Sequence, residues 1–388
     1  MTNRVYLDHA ATTALVPAAI EAITRELARL GNPSSLHGSG RDARRVVEES
    51  REAVAAAFGA HPTEVIFTAG GTEADNLAIK GGFWAARSAD PARNRVAISA
   101  IEHHAVLESA DWLGREQGAV VDVLPVDAEG RVDPGAVGGQ DTALVSVIWA
   151  NNEIGTVQPV PAIAEAAHRI GALAHSDGVQ AAGTLPVDFA ASGLDLLTVT
   201  GHKLGGPVGV GALFARRELT LTPVLHGGGQ ERDVRSGTLD VPSVAGFAAA
   251  VDASIADRAD HAVRLRALRD RLTAGLATLP GVRVNGPTAP DEVLPGIVNA
   301  SFDGCDADAI VLLLDQAGID ASAGAACSAG VTEPSHVLLA MGRTPAEARS
   351  AVRFSFGRTT SDVDLDRLLA VLPDIVVRAR AAGSLSSW

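Results

Sequence analysis

The chain has 388 residues, 47% of them apolar, and carries 32 basic against 46 acidic side chains for a net charge of -14. That length supports two domains or one large α/β unit with an appended lobe, and the acidic balance argues against a nucleic acid or an anionic membrane as main partner. Only two cysteines occur, Cys305 and Cys327; no charged-then-apolar leader opens the chain, and apolar runs such as Val244 to Val251 fall short of the roughly 20 residues of a membrane span, so a cytoplasmic protein is expected.

In chain order, Ser39 to Phe58 starts on a good cap, carries apolar residues at helical spacing and stops at Gly59. Glu64 to Thr68, Arg95 to Ser99, Ala119 to Leu124, Ala143 to Trp149 and Leu194 to Val199 have strand patterns, and Val160 to Ile170 is a second helix ending at a glycine. Strands alternating with helices predict a mostly parallel sheet covered by helices. After Asp240 the texture changes. Ser243 to Leu279 predicts one extended helix, followed by strand-like Ile297 to Phe302, helical Asp306 to Gln316, strand-like Ala351 to Phe356 and a terminal helix from Asp362 to Arg380. The expectation is an α/β chain with a large domain at 15–251 and a smaller α+β domain made from 1–14 and 252–388.

Polar residues gather where the predicted strands end. Lys203, in Thr-Gly-His-Lys after Leu194 to Val199, is placed to join covalently to an aldehyde such as pyridoxal phosphate; a buried neutral lysine is otherwise costly, because its ordinary pKa is ~10.4. Gly70, Gly71 and Thr72 open a helix, a geometry suited to an anion but also to an ordinary capped turn. Asp177 sits at a strand end where it could pair with a pyridine nitrogen or simply cap a helix, and Gln180 follows it. His103, with His104 as competitor, could exchange protons over a ring; the pair lacks further ligands at useful spacing, so no metal is expected. Asn151 and Asn152, Thr200 and His202, and the cluster Arg235 to Thr238 are either ligand contacts or loop-shaping residues. Arg353, between apolar neighbours, calls for a carboxylate, from a substrate or from an internal ion pair.

Cys327 lies in Ser-Ala-Gly-Ala-Ala-Cys-Ser-Ala-Gly, a stretch of small side chains able to swing. Free cysteine is about 3% thiolate at neutral pH, so ionising it costs roughly 2 kcal/mol without a helping neighbour. Cys305 has acidic neighbours and is expected to be structural.

Taken together the chain resembles the cysteine desulfurases of the class V aminotransferase family, fold type I enzymes dependent on pyridoxal phosphate, in the group serving iron-sulfur cluster assembly. The resemblance runs through Tyr6 to Thr13, Asn32 to His37, Gly70 to Glu73, Glu102 to Val106, Asn151 to Gly155, Gly201 to Lys203, His226 to Glu231 and Arg235 to Thr238. Each piece is weak alone, and their order is specific.

The resemblance implies that Lys203 holds the cofactor, His103 stacks on its ring, Asp177 pairs with the ring nitrogen and Gln180 with the ring hydroxyl. Gly71, Thr72, Thr200 and His202 would bind the phosphate, joined by Thr238 of the other subunit in a homodimer. Asn152 and Arg353 would orient the carboxylate of L-cysteine. Cys327 would take the sulfur as a persulfide, releasing alanine, and pass it to an acceptor such as an iron-sulfur scaffold or a tRNA-thiolation enzyme. A selenocysteine lyase, another lyase on the same scaffold and a non-catalytic sulfur-relay protein are the competing expectations. Gly178 stands where relatives commonly have an Ala that packs under the ring, which puts the ring's lower contact in question, and Gly71 replaces a common Ala in the phosphate turn; tuning of cofactor affinity rather than loss of activity is expected.

Overall fold

A computed structural model describes residues 4–324 and 333–385. Among them, seven strands form one sheet in the order Val65–Thr68, Gly211–Ala215, Leu196–Thr200, Leu173–Asp177, Thr142–Ser146, Arg95–Ser99, Val120–Leu124. Six run the same way, and only Gly211–Ala215 opposes its neighbours. Period-2 alternation divides each strand between two faces. Phe67 and Phe214 pack with Phe58 and Phe247 on one side, while Ile66 and Leu213 pack with Phe83 and Leu77 on the other.

A third apolar core lies elsewhere. Ser322–Ala323, Ala351–Ser355, Ile297–Phe302 and Val282–Asn285 form a four-stranded antiparallel sheet, backed by Ala307–Gln316 and Asp362–Leu385. The 36-residue helix Val241–Leu276 serves both cores: Val244, Phe247 and Val251 enter the first, and Leu265, Leu268, Leu272 and Leu276 the other. Asp240 starts it, its side chain accepting the Ser243 N–H, with Pro242 in the first turn.

The N-terminus stitches these parts together. Val5–Tyr6 pairs in parallel with Ile319–Asp320, and Val5 and Leu7 are buried in the small core. The chain then crosses to the large sheet, where Thr13 N–H donates to the His202 carbonyl and Val16 N–H to that of Gly205.

Most expected elements are present with ends shifted by a few residues, and two differences have physical reasons. The strand expected through Trp149 stops at Ser146, because the Ile148 N–H turns to the buried Glu102 carboxyl. Gly211–Ala215 was hidden in a glycine-rich run that reads as loop; glycine is required at its start, since a Cβ on Gly211 would lie 2.7 Å from the Val199 carbonyl oxygen and 3.0 Å from the Gly70 backbone.

The edge strand Val65–Thr68 is closed off by an ion pair. Arg51 donates two hydrogen bonds to Glu231, at 2.7 and 2.8 Å, and a third to the Val65 carbonyl, while Glu231 also accepts the Phe67 N–H at 2.7 Å. Glu231, Arg232 and Asp233 all have positive φ, a strained turn that this carboxylate pins to the sheet. Glu231→Ala is expected to cost about 1–3 kcal/mol, because it leaves the Phe67 N–H without its acceptor and the Arg51 guanidinium with only Glu48 and the Val65 carbonyl; denaturant unfolding measures the loss.

Candidate active site

The parallel strands deliver their polar C-terminal residues to one edge of the large sheet, where a cavity of about 340 Å³ opens. Its lining includes Gly71, Thr72, His103, Asn152, Asp177, Gln180, Thr200, His202, Lys203 and Arg353. Those residues span 283 positions of sequence; the large sheet gathers most of them, and Arg353 joins from the strand Ala351–Ser355 of the smaller sheet. Thr238 is exposed and lies outside this lining, and Cys327 falls outside the described residues.

Lys203 ends the short turn Gly201–Lys203 after the strand Leu196–Thr200. Its ammonium donates to the carbonyls of Ala10 and Ala11, and Gln180 also donates to Ala10, at 2.9 Å. The segment crossing between the two cores therefore forms one wall of the site.

An anion corner lies across the cavity. Gly70, at φ 139°, turns the chain into a helix beginning at Gly71, and the first intrahelical bond comes from Ala74 N–H. The N–H groups of Gly71 and Thr72 thus carry the positive end of the helix dipole beside the Thr200 hydroxyl and His202. Glu73 accepts the Ala69 N–H and is paired with Arg235 at 2.6 Å, so its charge is compensated locally. A Cβ on Gly71 would come within 3.2 Å of Val179, so the glycine keeps the corner open. Gly178 does not line the cavity; its absent Cβ would meet Leu197 at 2.7 Å and the Thr198 carbonyl at 3.3 Å, and Val179 is the lining residue there.

Asp177, buried at the end of Leu173–Asp177, accepts the Val179 N–H at 2.9 Å. Burial pushes its carboxyl up to about 6, against the pull of that N–H and of Lys203. His103 caps the helix His104–Gln117 by accepting the Ala105 N–H on Nδ1, which leaves the proton of the neutral ring on Nε2. Burial, Lys203 and His104 hold His103 down to about 4; burial and Lys203 do the same to His202. Both rings are neutral at pH 7. The set suits a flat ring with a cationic nitrogen at one end and a phosphate arm at the other.

The remaining expected residues divide into contact and support. Asn151 is a scaffold: its Oδ1 accepts the N–H groups of Glu153 and Ile154, and its Nδ2 donates to the Ile101 carbonyl. Asn152 faces the cavity instead, and its carbonyl accepts from Arg353 at 2.9 Å. Arg353 also pairs with Asp8 at 2.8 Å, an internal partner that holds a cation at the cavity wall. Glu153 is buried, its carboxyl accepting the Ser335 hydroxyl at 2.6 Å and lying 3.4 Å from where a Cβ on Gly324 would be. Burial raises it to about 7. Cys305 is partly buried in the small core, and burial pushes its thiol up.

One acidic residue of the site escaped sequence reading. Asp75 lines the cavity and is buried, with His175 3.7 Å from its Oδ1. Asp75, His103 and Asp177 each present a donor atom within 4.8 Å of the others, a spacing that a cation could also use. Helical position was the available signal for Asp75, three residues after Thr72 and hence on the same face.

Glu102 supplies a test of these electrostatics. Fully buried, it accepts from Ser99 and from Ile148 N–H on Oε1, while Oε2 has no hydrogen-bond partner among the described residues; burial raises it to about 8. The folded protein keeps a proton there that the unfolded chain releases near the ordinary 4.5, so this group's contribution to stability falls as pH rises from about 4.5 to about 8. Glu102→Gln removes that slope, and the melting temperature of the variant relative to wild type is expected to rise between pH 5 and pH 8.

The model of the aminotransferase class-V family matches residues 5–368. An IscS-like cysteine desulfurase of Mycobacterium tuberculosis is 52% identical over 383 residues, covering 97% of each chain. Among solved structures, a NifS-like protein aligns with TM-score 0.89 at 32% identity, covering 97% of this chain and 100% of its own. The structure described as SspA in complex with cysteine aligns with TM-score 0.78 at 30% identity, covering 91% and 98%. With a lysine, an aspartate and an anion corner converging at the sheet edge of a fold shared along almost its whole length, the chain belongs to the aminotransferase class-V family, among its cysteine desulfurases.

Proposed function

We propose that this protein is a pyridoxal-phosphate-dependent cysteine desulfurase that converts L-cysteine to L-alanine and loads the sulfur onto Cys327. The carrying observation is the convergence of Lys203, Asp177, His103 and the Gly71–Thr72 helix start on one cavity. Pyridoxal phosphate, when bound, supplies the conjugated ring that accepts electrons from the substrate Cα.

The protein's own groups divide the remaining work. Gly71, Thr72, Thr200 and His202 bind the phosphate, and Asp177 keeps the ring nitrogen protonated. Lys203 would hold the cofactor through its amine and would serve as the base for the substrate Cα proton. His103, neutral with its proton on Nε2, would move protons at the cavity wall. Arg353, fixed between Asp8 and the Asn152 carbonyl, offers its positive charge to the substrate carboxylate together with Asn152. The Cys327 thiolate would attack the substrate sulfur, forming an S–S bond as the substrate Cβ–S bond breaks; the electron pair stays on the carbon skeleton, which takes a proton at Cβ and leaves as alanine.

The wider reading is a homodimer in which Thr238, exposed on the single chain, reaches the partner's phosphate site. No described helix is long and apolar enough to cross a membrane, and we place the enzyme in the cytoplasm. Its acceptors would be proteins such as an iron-sulfur scaffold or a tRNA-thiolation enzyme. The separate cores support a division into 15–251 and a unit built from 1–14 with 252–388.

Lys203→Ala is expected to lose the near-visible absorbance of the covalently held cofactor; a pyridoxyl label on a different lysine of borohydride-reduced wild type would decide against Lys203. Cys327→Ser is expected to keep the yellow colour and lose at least about 100-fold in sulfide release from cysteine, which a persulfide assay with a thiol acceptor measures. Normal turnover by that variant would remove Cys327 as nucleophile.

A further inference from the structure

We propose that Asp75 is a positioning residue of the active site, a carboxyl that holds a proton beside Asp177 and so confines the site's negative charge to Asp177. The inference rests on the cavity being a pyridoxal phosphate site, and it concerns a residue with no role in the mechanism above.

Geometry sets the problem. Asp75 lies on the cavity-facing side of the helix that begins at Gly71, is 1% exposed, and its Oδ1 has no hydrogen-bond partner among the described residues. One oxygen each of Asp75 and Asp177 lies within 4.8 Å of the other. Two buried carboxylates this close cannot both ionise without countercharge.

The surroundings supply little of it. His175, 3.7 Å away, is bonded through Nδ1 to the Ser146 hydroxyl at 2.9 Å and through Nε2 to that of Thr198 at 3.1 Å, and burial holds it near 3. It is neutral. His103 is neutral too, and Glu102, facing the pair from the same loop, adds negative charge when it ionises. Among the described residues Lys203 pulls on Asp177, which also has the Val179 N–H. Burial and then the Asp177 charge push Asp75 well above the usual carboxylate range, although a Thr198 hydrogen bond opposes them. Asp75 therefore keeps the proton and Asp177 the charge, which then faces the ring nitrogen undivided.

The experiment uses full-length protein carrying carboxyl-13C aspartate, with and without pyridoxal phosphate, examined by infrared spectroscopy at neutral pH as wild type, Asp75→Asn and Asp177→Asn. The expected result is an isotope-shifted band of a protonated aspartate that disappears in Asp75→Asn and persists in Asp177→Asn. Asp177→Asn loses a carboxylate band and about tenfold or more in cofactor affinity. On raising the pH, wild type shows a transition in cofactor absorbance as Asp75 ionises, and Asp75→Asn lacks it. No protonated band in wild type, or a band lost in Asp177→Asn but not in Asp75→Asn, would overturn the proposal. Should Asp75→Asn fail to fold, the wild-type band and its pH titration decide. A wild type that takes up no pyridoxal phosphate strikes the functional reading instead, and the band in the cofactor-free protein still judges Asp75.

Discussion

The contact between the Lys203 ammonium and the carbonyls of Ala10 and Ala11 joins two bodies of structure that share few other elements. A few residues earlier the same strand of chain is paired with Ile319–Asp320, and a few later it is bonded to His202 and Gly205. Backbone carbonyls are fixed acceptors and, unlike a carboxylate, do not neutralise the lysine. They hold the amine in place and leave its proton chemistry to whatever ligand displaces them.

Around that contact the site is assembled from strand ends. Parallel strands share a direction, so residues just after each one arrive at a common edge however far apart they lie in sequence. Thr200 to Lys203, Asp177 to Gln180 and Asn152 come from three neighbouring strands, while Gly71 and His103 come from two helix starts. Electrostatics follow from that construction. Burial neutralises the histidines, protonates Glu102 and leaves Lys203 and Arg353 facing Asp177 and the anion corner, so charges in the cavity are few and fixed in position.

What could be read from sequence were features with local signals: strands ending in polar residues, helices ending at glycine, and a lysine set among glycines. The fold class was accessible in that way; the site residues from Gly71 to Arg353 were each equally open to ordinary caps, turns or ion pairs, and only the family resemblance implied that they form one site. Asp75 was not, because an acidic residue in the first turns of a helix is usually solvated and only the tertiary fold buries it. The Arg235–Glu73 and Arg51–Glu231 pairs join residues 162 and 180 positions apart, beyond the reach of any spacing rule. Arg353 illustrates the intermediate case: its need for a carboxylate was plain, and Asp8, 345 positions away, meets it internally.

The buried Glu153 carboxyl accepts the Ser335 hydroxyl, just after the segment that contains Cys327, while Gly324, just before it, donates its N–H to the Ala351 carbonyl. Departure and return are thus held by two different parts of the fold. Because Glu153 follows Asn152, a residue of the cavity wall, its bond to Ser335 ties the returning chain to the rim of the cavity.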